Sequence, residues 1–530
     1  MIDCIRQYSL DEKEKQSYRA VSTSDDTGDS RIEEDEMKFL IAFLICSAGT
    51  SVLFYLDRDN SSRHAKALWL PVIWLWIAGS RPVSSWFNMG GPEGQLASTL
   101  DGSPLDAAVF LVLLVLGLIV LFSRRKKTKA FLSANSTIIV FFVYCLISVA
   151  WSPFHGPAFK RWIKAIGDLI MVLVLVTDGD LVANLRRLYS RLGFILLPFS
   201  IILIRYTDLG RGYDPDGLPM NTGVTTNKNS LGLIVFLISL GALWNVRTLL
   251  REKRDPTRTR RLIAQTTLLG FGILMLHMAR SATSIACFIL GGVLMFATNL
   301  RMFRNRPGRV RALAIGVVVA GALTMYLGGQ SAVASALGRS STLSGRTDIW
   351  EASIASADNP LIGTGFESFW NVNAHKVSRI LVARGFIDMS NLVSAHNGYI
   401  EVYLDLGYVG VGLLALVLVK GFRDAVNSFR YDPRLAGLLL AYVTTATFYA
   451  ITEAGFRMLS PSWIFLLLAA VTASGLSRGV LRGKKPGVLV AQAEKIPATL
   501  DDRQILRHQP SENAPMQVKT DRTAAQANSK

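Results

Sequence analysis

Long apolar runs recur along this chain of 530 residues, from Phe39 to Leu476, with short basic loops between them. A helix needs about 20 mostly apolar residues to cross a bilayer. Half of the residues are hydrophobic and only 18% are charged, which excludes an ordinary soluble enzyme. The sequence therefore predicts an all-α polytopic membrane protein that sits in a lipid bilayer.

The apolar runs predict about 12–13 transmembrane helices. The expected spans are residues 39–56, 66–79, 105–122, 134–151, 163–176, 192–206, 230–246, 263–279, 281–298, 310–328, 398–419, 435–453 and 461–477. The first run follows a polar, acidic stretch, so we expect a membrane helix there and not a cleaved signal peptide.

The basic residues predict the orientation of these helices. The net charge is +18, and most Lys and Arg residues lie in loops, as expected for retention on the cytoplasmic side rather than for binding nucleic acid. The clusters at 124–129, 247–261 and 301–311 are placed inside. Alternation then places outside the loops 80–104, 152–162, 207–229, 329–397 and 454–460.

This topology divides the chain into five segments. Residues 1–38 form a polar acidic tail, placed outside, and 39–328 carry the first ten helices. Residues 329–397 form one large exterior loop, 398–478 carry the last three helices, and 479–530 form a cytoplasmic tail of disordered composition. Within the large loop, the spacing of apolar residues predicts a helix over 347–357, ended by Asn359 and Pro360.

Cationic residues on the predicted outer face cannot be explained by retention inside. Arg280 lies in a tight turn between two apolar spans and Lys228 opens another span. A charge at the membrane boundary is costly unless it is paired or binds an anion. Interfacial snorkelling is the alternative, and we prefer it for Arg384 and Lys160. The other outer cations are Arg81, Arg161, Arg205, Arg211, Arg346 and Arg457.

His396 lies just before the eleventh predicted span, followed by Asn397. Histidine titrates near neutrality and suits general-base catalysis, although a lone interfacial histidine is more often a passive hydrogen-bonding residue. Glu401 and Asp405 enter the span, where buried carboxylates need a cationic partner. Two further pairs at i,i+4 spacing, Asp168 with Lys164 and Glu453 with Arg457, predict ion pairs across one helical turn.

These residues together predict an exterior pocket with several cations, one imidazole and apolar helical walls. Arginine binds a diphosphate bidentately and lysine supplies a point charge, while apolar walls suit a lipid carrier. The four cysteines, Cys4, Cys46, Cys145 and Cys287, have no metal-ligand or CxxC spacing. We therefore expect no disulfide framework, no metal and no cofactor.

The sequence resembles the O-antigen ligase and Wzy-type polymerase superfamily, in its ExoQ-like branch of exopolysaccharide polymerases. His396-Asn397, nine residues and then Gly407-Tyr408-Val409-Gly410 fit the family pattern H-[NSQ]-x9-G-x-x-G. Supporting matches are residues 223–232, the Arg280 turn, 344–350 and 359–365, and the segments 79–84 and 451–456 resemble the ExoQ-like branch in particular. The resemblance covers roughly residues 39–478.

The resemblance implies a GT-C-like architecture of lipid-linked glycosyltransferases and a metal-independent, inverting transfer at the periplasmic face of a bacterial inner membrane. The donor would be a polyprenyl diphosphate-linked oligosaccharide. His396 would be the catalytic base, Arg280, Lys228, Arg211 and Arg346 would bind the diphosphate, and Asn397, Glu401 and Glu453 would support the site. Family members often have arginine at the position of Lys228. A flippase and a chain-length regulator are the partners that the resemblance implies.

Three functions remain open at this stage. A polymerase would join lipid-linked repeat units into exopolysaccharide, and a ligase would transfer a finished glycan to lipid A core or protein. The same residues would serve both, and only the ExoQ-like segments favour the polymerase. A transporter of lipid-linked sugar is less favoured, because transporters place charged sites near mid-membrane and often contain inverted repeats.

Overall fold

The computed structural model describes residues 25–58, 66–87, 103–213, 217–298, 300, 308–313, 315–316, 344–386 and 392–481. These residues all belong to the unit Met1–Leu481. The predicted cytoplasmic tail, 479–530, lies outside the described residues from 482 onward.

Helices make up most of the described chain. They are α1 Asp25–Leu56, α2 Trp69–Ala78, α3 Val83–Trp86, α4 Pro104–Ser123, α5 Arg125–Ala134, α6 Ser136–Ser148, α7 His155–Val176, α8 Leu181–Tyr206, α9 Lys228–Leu249, α10 Pro256–Ala279, α11 Ala282–Ala297, α12 Ser344–Ala355, α13 Phe369–Ala383, α14 Gly398–Ser428, α15 Pro433–Tyr449 and α16 Pro461–Ser477.

The all-α polytopic membrane class is confirmed, because each predicted span within the described residues coincides with a helix. Six of the described helices are long and apolar enough to cross a membrane by length and composition: α1 from Met37, α4, α8, α9, α10 and α14. The number becomes seven if α5 and α6, bent by 87° with respect to each other, count as one span. Within the described ranges this criterion supports fewer spans than the 12–13 predicted, because several apolar helices are short.

Some predicted boundaries differ from the structure. Most of the tenth predicted span, 310–328, lies outside the described residues. Its described parts, 310–313 and 315–316, are helical. Helix α1 begins at Asp25 and so includes the end of the predicted polar tail. The loop helix expected over 347–357 is present as α12, whereas α13 was not predicted. One small antiparallel sheet, β1 Arg211–Tyr213 with β2 Pro219–Asn221, is added to the helical fold.

Helix α9 lies at the centre of the bundle. It packs against α8, α10, α11, α15 and α16. In its apolar stretch of 18 residues, 78% of the residues are buried, compared with 6% for the corresponding stretch of α1. Its first turn contributes to the candidate site described below, so the site is built on one of the most constrained helices of the protein.

Helix α14 is interrupted at Gly407, and the turn of residues 359–365 fills the interruption. Gly407 has φ +64°, and a Cβ atom there would overlap the backbone of Leu361. Four backbone hydrogen bonds join the two segments: Thr364 N to Leu404 O (3.1 Å), Gly365 N to Asp405 O (2.8 Å), Tyr408 N to Pro360 O (2.9 Å) and Val409 N to Leu361 O (3.2 Å). The broken helix thus keeps its backbone groups paired and anchors the segment between α12 and α13.

Candidate functional site

Glu453, just after α15, joins three parts of the chain through one carboxylate. Its Oε2 lies 3.4 Å from Nδ1 of His396, while Oε1 accepts hydrogen bonds from Arg346 Nη2 at 3.1 Å and Asn229 Nδ2 at 2.8 Å. Arg346 also donates to the carbonyl of Thr452. Only 10% of the Glu453 side chain is exposed, so its charge is compensated by these neighbours rather than by water.

His396 occupies a constrained position immediately before α14. Its φ is +51°, in the left-handed region, and its backbone N–H donates to Ser394 Oγ at 3.0 Å. The imidazole remains 41% exposed. The ring is therefore fixed at its backbone and accessible to a ligand at its side chain.

Asn397 starts α14 after His396, and Gly398 attaches this segment to the end of α15. Asn397 caps α14, with its Oδ1 accepting from the N–H groups of Tyr399 and Ile400 at 3.0 and 3.2 Å. The N–H of Gly398 donates to the carbonyls of Ala450 (2.7 Å) and Glu453 (3.0 Å). We predicted that Asn397 supports the site. Its contacts are local, because its side chain caps the helix that begins directly after the His396-Asn397 pair.

Glu401 supports the segment that carries His396 through hydrogen bonds, and the charge of Arg457 acts on it as well. Its carboxylate accepts from Trp370 Nε1 (2.8 Å), Ser394 Oγ (2.9 Å) and the N–H of Ala395 (2.6 Å). Asp405 likewise accepts from the N–H groups of Ser368 and Phe369 at the start of α13, both at 3.0 Å. Hydrogen-bond donors, together with the nearby charge of Arg457, thus compensate these buried carboxylates.

Arg280 and Lys228 flank residues that belong to the Glu453 network. Arg280 ends α10 in a left-handed conformation, φ +48°, and is exposed. The next residue, Ser281, donates from Oγ to Oδ1 of Asn229 at 3.2 Å, and Asn229 follows Lys228 at the start of α9. The structure therefore brings the chain segments of both cations to the carboxylate that contacts His396.

The two-stranded sheet places Arg211 near the turn that carries Arg280. Arg211 pairs in register with Asn221, whose Nδ2 donates to the carbonyl of Met278 at 2.9 Å, near the end of α10. The Arg211 side chain is 53% exposed and lies 3.9 Å from Asp208. The hairpin is thereby held beside the turn that carries Arg280.

Both ion pairs predicted across one helical turn are wrong. Asp168 accepts from Trp74 Nε1 at 2.8 Å and from the N–H of Leu459 at 3.0 Å. Gly167 permits the first contact, because a Cβ atom there would overlap the Trp74 ring. Lys164 instead lies over the ring of Phe110, 5.8 Å from its centroid. Spacing alone did not identify these distant partners.

Arg457 pairs with Glu367 rather than with Glu453. Two guanidinium nitrogens lie 3.1 Å from Glu367 Oε2, and this carboxylate raises the pKa of Arg457. Glu367 has φ +50°, and its carbonyl accepts from Arg161. Glu367 was not predicted as a site residue, because no motif or periodicity distinguishes it in the sequence.

Two other outer cations have structural partners. Arg384 lies 3.3 Å from Asp348 and 3.0 Å from Glu351, joining the end of α13 to α12. Arg81 is buried, donates to the carbonyl of Leu209 and to Thr222 Oγ1, and has a pKa lowered by burial. These contacts agree with a structural role for both residues.

The chemistry that the chain offers at this site is proton transfer and anion binding. Within the described ranges, His, Cys, Asp and Glu residues form no group of three or more that could hold a metal ion. The imidazole is paired with a carboxylate, and the arginine and lysine segments lie around it. This arrangement can deprotonate a hydroxyl beside a bound anion.

Comparison with known proteins gives one matching family model and one similar curated protein. Residues 266–415 match the family model described as O-antigen ligase. The curated protein "Exopolysaccharide production protein ExoQ" of Rhizobium meliloti (strain 1021) is 25% identical over 373 residues, which cover 68% of this chain and 81% of that protein. The resemblance to the O-antigen ligase and ExoQ-like proteins is confirmed, and it supports a ligase- or polymerase-type function in exopolysaccharide production.

The family match covers only part of the site. It includes Arg280, Arg346 and His396, whereas Lys228 and Glu453 lie outside it. The structure unites these parts, because Glu453 contacts both His396 and Arg346.

Proposed function

We propose that this protein polymerises polyprenyl diphosphate-linked oligosaccharide repeat units into exopolysaccharide. The reaction takes place at the periplasmic face of a bacterial inner membrane, by metal-independent, inverting glycosyl transfer. The contact between His396 and the buried carboxylate of Glu453 is the observation that carries the proposal. The likeness to ExoQ supports the choice of exopolysaccharide as the product.

His396 acts as the general base. As the acceptor hydroxyl oxygen attacks the anomeric carbon of the donor, the imidazole accepts the hydroxyl proton. The bond between that carbon and the diphosphate oxygen breaks, and its electron pair leaves with the diphosphate. Glu453, beside Nδ1, orients the ring and stabilises the imidazolium that forms.

Arg280, with Lys228 or Arg211, binds the diphosphate and stabilises the charge that develops as it departs. Arg280 gives the bidentate contact that Lys228 cannot give. Arg346 acts through Glu453, because its guanidinium fixes the carboxylate that faces His396. A direct contact of Arg346 with the diphosphate remains a prediction from the family resemblance.

A ligase is the second candidate, and the family model described as O-antigen ligase favours it. The same base and cations would then transfer a lipid-linked glycan to lipid A core or to a protein. A flippase that supplies the lipid-linked donor and a chain-length regulator are the partners that the polymerase proposal includes.

The test is a size analysis of surface and secreted glycans from a deletion strain complemented with wild type, His396→Ala or His375→Ala. His375 is an exposed histidine of α13 and serves as the matched control. We expect long exopolysaccharide from wild type and His375→Ala, and single repeat units on the lipid carrier from His396→Ala. Polymer that stays on its carrier in the His396→Ala strain would identify a ligase, and normal product from that strain would refute the mechanism.

A further inference from the structure

A second cationic cluster lies at the opposite end of the bundle from His396. Helix α9 begins beside the candidate site and ends at Leu249; its 22 residues span about 33 Å. Arg247, in its last turn, is therefore separated from Asn229 by roughly the thickness of a bilayer core. The basic loops at this end predict that it faces the cytoplasm.

Three arginines line one small cavity at this end. Arg247, Arg251 and Arg434 surround it together with Trp244, Thr248 and Met295. Trp244 Nε1 donates to the carbonyl of Arg434 at 3.1 Å, which holds the start of α15 against α9. Nη1 of Arg247 is buried and has no hydrogen-bond partner among the described residues, so one donor of a side chain that lines the cavity is unsatisfied.

The carboxylates nearest in sequence to this cluster are directed to other groups. Glu252 lies 2.7 Å from Arg186. Asp255 accepts from the N–H of Arg258 at the start of α10, and Asp432 accepts from the N–H groups of Arg434 and Leu435 at the start of α15. Within the described residues, no carboxylate forms an ion pair with Arg247 or Arg434, so these two side chains leave positive charge at the cavity.

An apolar groove begins directly beside these arginines. It has a volume of about 590 Å³ and lies along α10 and α11, with Leu243 of α9 at its base; other lining residues are Ile273, Ile289, Gly292, Phe296 and Leu300. Phe296 lines the groove and also stacks with Arg247, whose guanidinium carbon is 4.1 Å from the ring centroid. The arginine cavity and the groove thus adjoin one another at this pair.

We propose that the groove and the arginine cavity together bind one anionic phospholipid of the cytoplasmic leaflet. The phosphate contacts Arg247 and Arg434, and an acyl chain lies in the groove. Charge complementarity selects this occupant, since basic pockets between membrane helices on the cytoplasmic side suit anionic headgroups. The proposal is independent of the glycosyl-transfer proposal, because the two sites lie at opposite ends of α9.

Native mass spectrometry of the purified full-length protein tests whether the arginines bind the lipid headgroup. The probes are dioleoyl phosphatidylglycerol and dioleoyl phosphatidylcholine. We expect wild type to retain phosphatidylglycerol preferentially and the Arg247→Gln/Arg434→Gln variant to bind it about tenfold more weakly. Arg125→Gln/Lys126→Gln removes the same charge from exposed residues of α5 and should bind as wild type does.

The acyl-chain half is tested with Gly292→Leu. A Cβ atom at Gly292 meets only Leu243 Cδ2, at 3.7 Å, so the new side chain enters the groove without overlapping the backbone. We expect reduced retention of phosphatidylglycerol with the arginines intact. Gly270→Leu is the control, because a Cβ atom at Gly270 has no neighbour within 4 Å. The unfolding temperature of each variant shows whether it is folded.

Three outcomes would overturn the proposal. The first is equal retention of the two lipids by wild type. The second is unchanged binding by the double arginine variant or by Gly292→Leu. The third is a wild-type dimer that Gly292→Leu converts to a monomer without loss of lipid, which would make the groove an interface between two copies of the chain.

Discussion

The carboxylate of Glu453 lies 3.4 Å from Nδ1 of His396, and 57 residues of sequence separate the two. The contact is supported by Gly398, which ties the start of α14 to the end of α15, and by Asn397, which caps α14. Glu453 is also shared with Arg346 and Asn229. The orientation of the proposed base thus depends on elements from three distant parts of the chain.

Replacing Glu453 with Gln should reduce kcat for glycosyl transfer roughly 10²-fold. The reason is that the imidazolium formed during the reaction loses its carboxylate partner, whereas donor binding depends on other residues, so KM should change little. Initial rates with a purified lipid-linked donor measure both constants. Glu351→Gln, at an exposed carboxylate of α12, should behave as wild type. An unchanged kcat for the Glu453 variant would show that the contact is only structural.

Replacing Arg280 with Ala should lower kcat/KM for the donor roughly 10²-fold, since a preorganised cation facing the departing diphosphate is lost. Arg280→Lys should recover only part of this loss, because lysine cannot bind bidentately. Lys376, paired with Asp358 at 3.1 Å, gives the control variant Lys376→Ala, for which we expect wild-type kinetics. Equal kinetics for Arg280→Ala and wild type would remove Arg280 from the site.

Replacing Gly407 with Ala should lower the free energy of unfolding by about 1–3 kcal/mol, because its backbone (φ +64°, ψ −167°) lies in a region that essentially only glycine adopts. Overlap with the backbone of Leu361 adds to this cost. Thermal unfolding in detergent measures the effect. Gly412→Ala, on the same helix with no neighbour within 4 Å of its Cβ position, should be as stable as wild type. Equal stability of the two variants would contradict the role given to the helix break.

Asp358 gives a small stabilisation that depends on pH. Hydrogen bonds from Asn373 and then from Lys376 lower the pKa of Asp358 below its ordinary value of 3.8. A lowered pKa in the folded state gives stability that is present above pH 3.8 and is lost as the pH falls through the folded-state pKa. Since the side chain is 56% exposed, Asp358→Asn should cost only about 0.2–1 kcal/mol at pH 7.

Unfolding measured at a series of pH values from 7 downward tests this prediction. The difference between wild type and Asp358→Asn should shrink as the pH falls below 3.8. A difference that grows in acid would contradict the assigned direction of the pKa shift.

Hydrophobic runs predicted the helices well, because membrane burial imposes a long and uniform signal on the sequence. Local spacing was a poor guide to side-chain partners. Asp168 and Glu453 pair with residues far away in sequence rather than with the cations at i,i+4. The break at Gly407 matches a glycine of the recognised motif, but the segment that fills it could be identified only from the fold.

The resemblance predicted that His396, Arg280 and Arg346 belong to the site, but it did not show which contacts connect them. That connection runs through Glu453 and Asn229, and a network of this kind requires tertiary contacts between α9, α12 and the end of α15. Glu367, which holds Arg457, left no signal in the sequence at all.

The most direct test of the central claim is chain extension by purified protein in proteoliposomes, with polyprenyl diphosphate-linked repeat units as the only sugar substrate. Product length is read by gel and mass spectrometry for wild type, His396→Ala and His375→Ala. We predict polymer on the lipid carrier with release of polyprenyl diphosphate for wild type and His375→Ala, and unextended repeat units for His396→Ala. Polymer formed at the wild-type rate by His396→Ala would contradict the account.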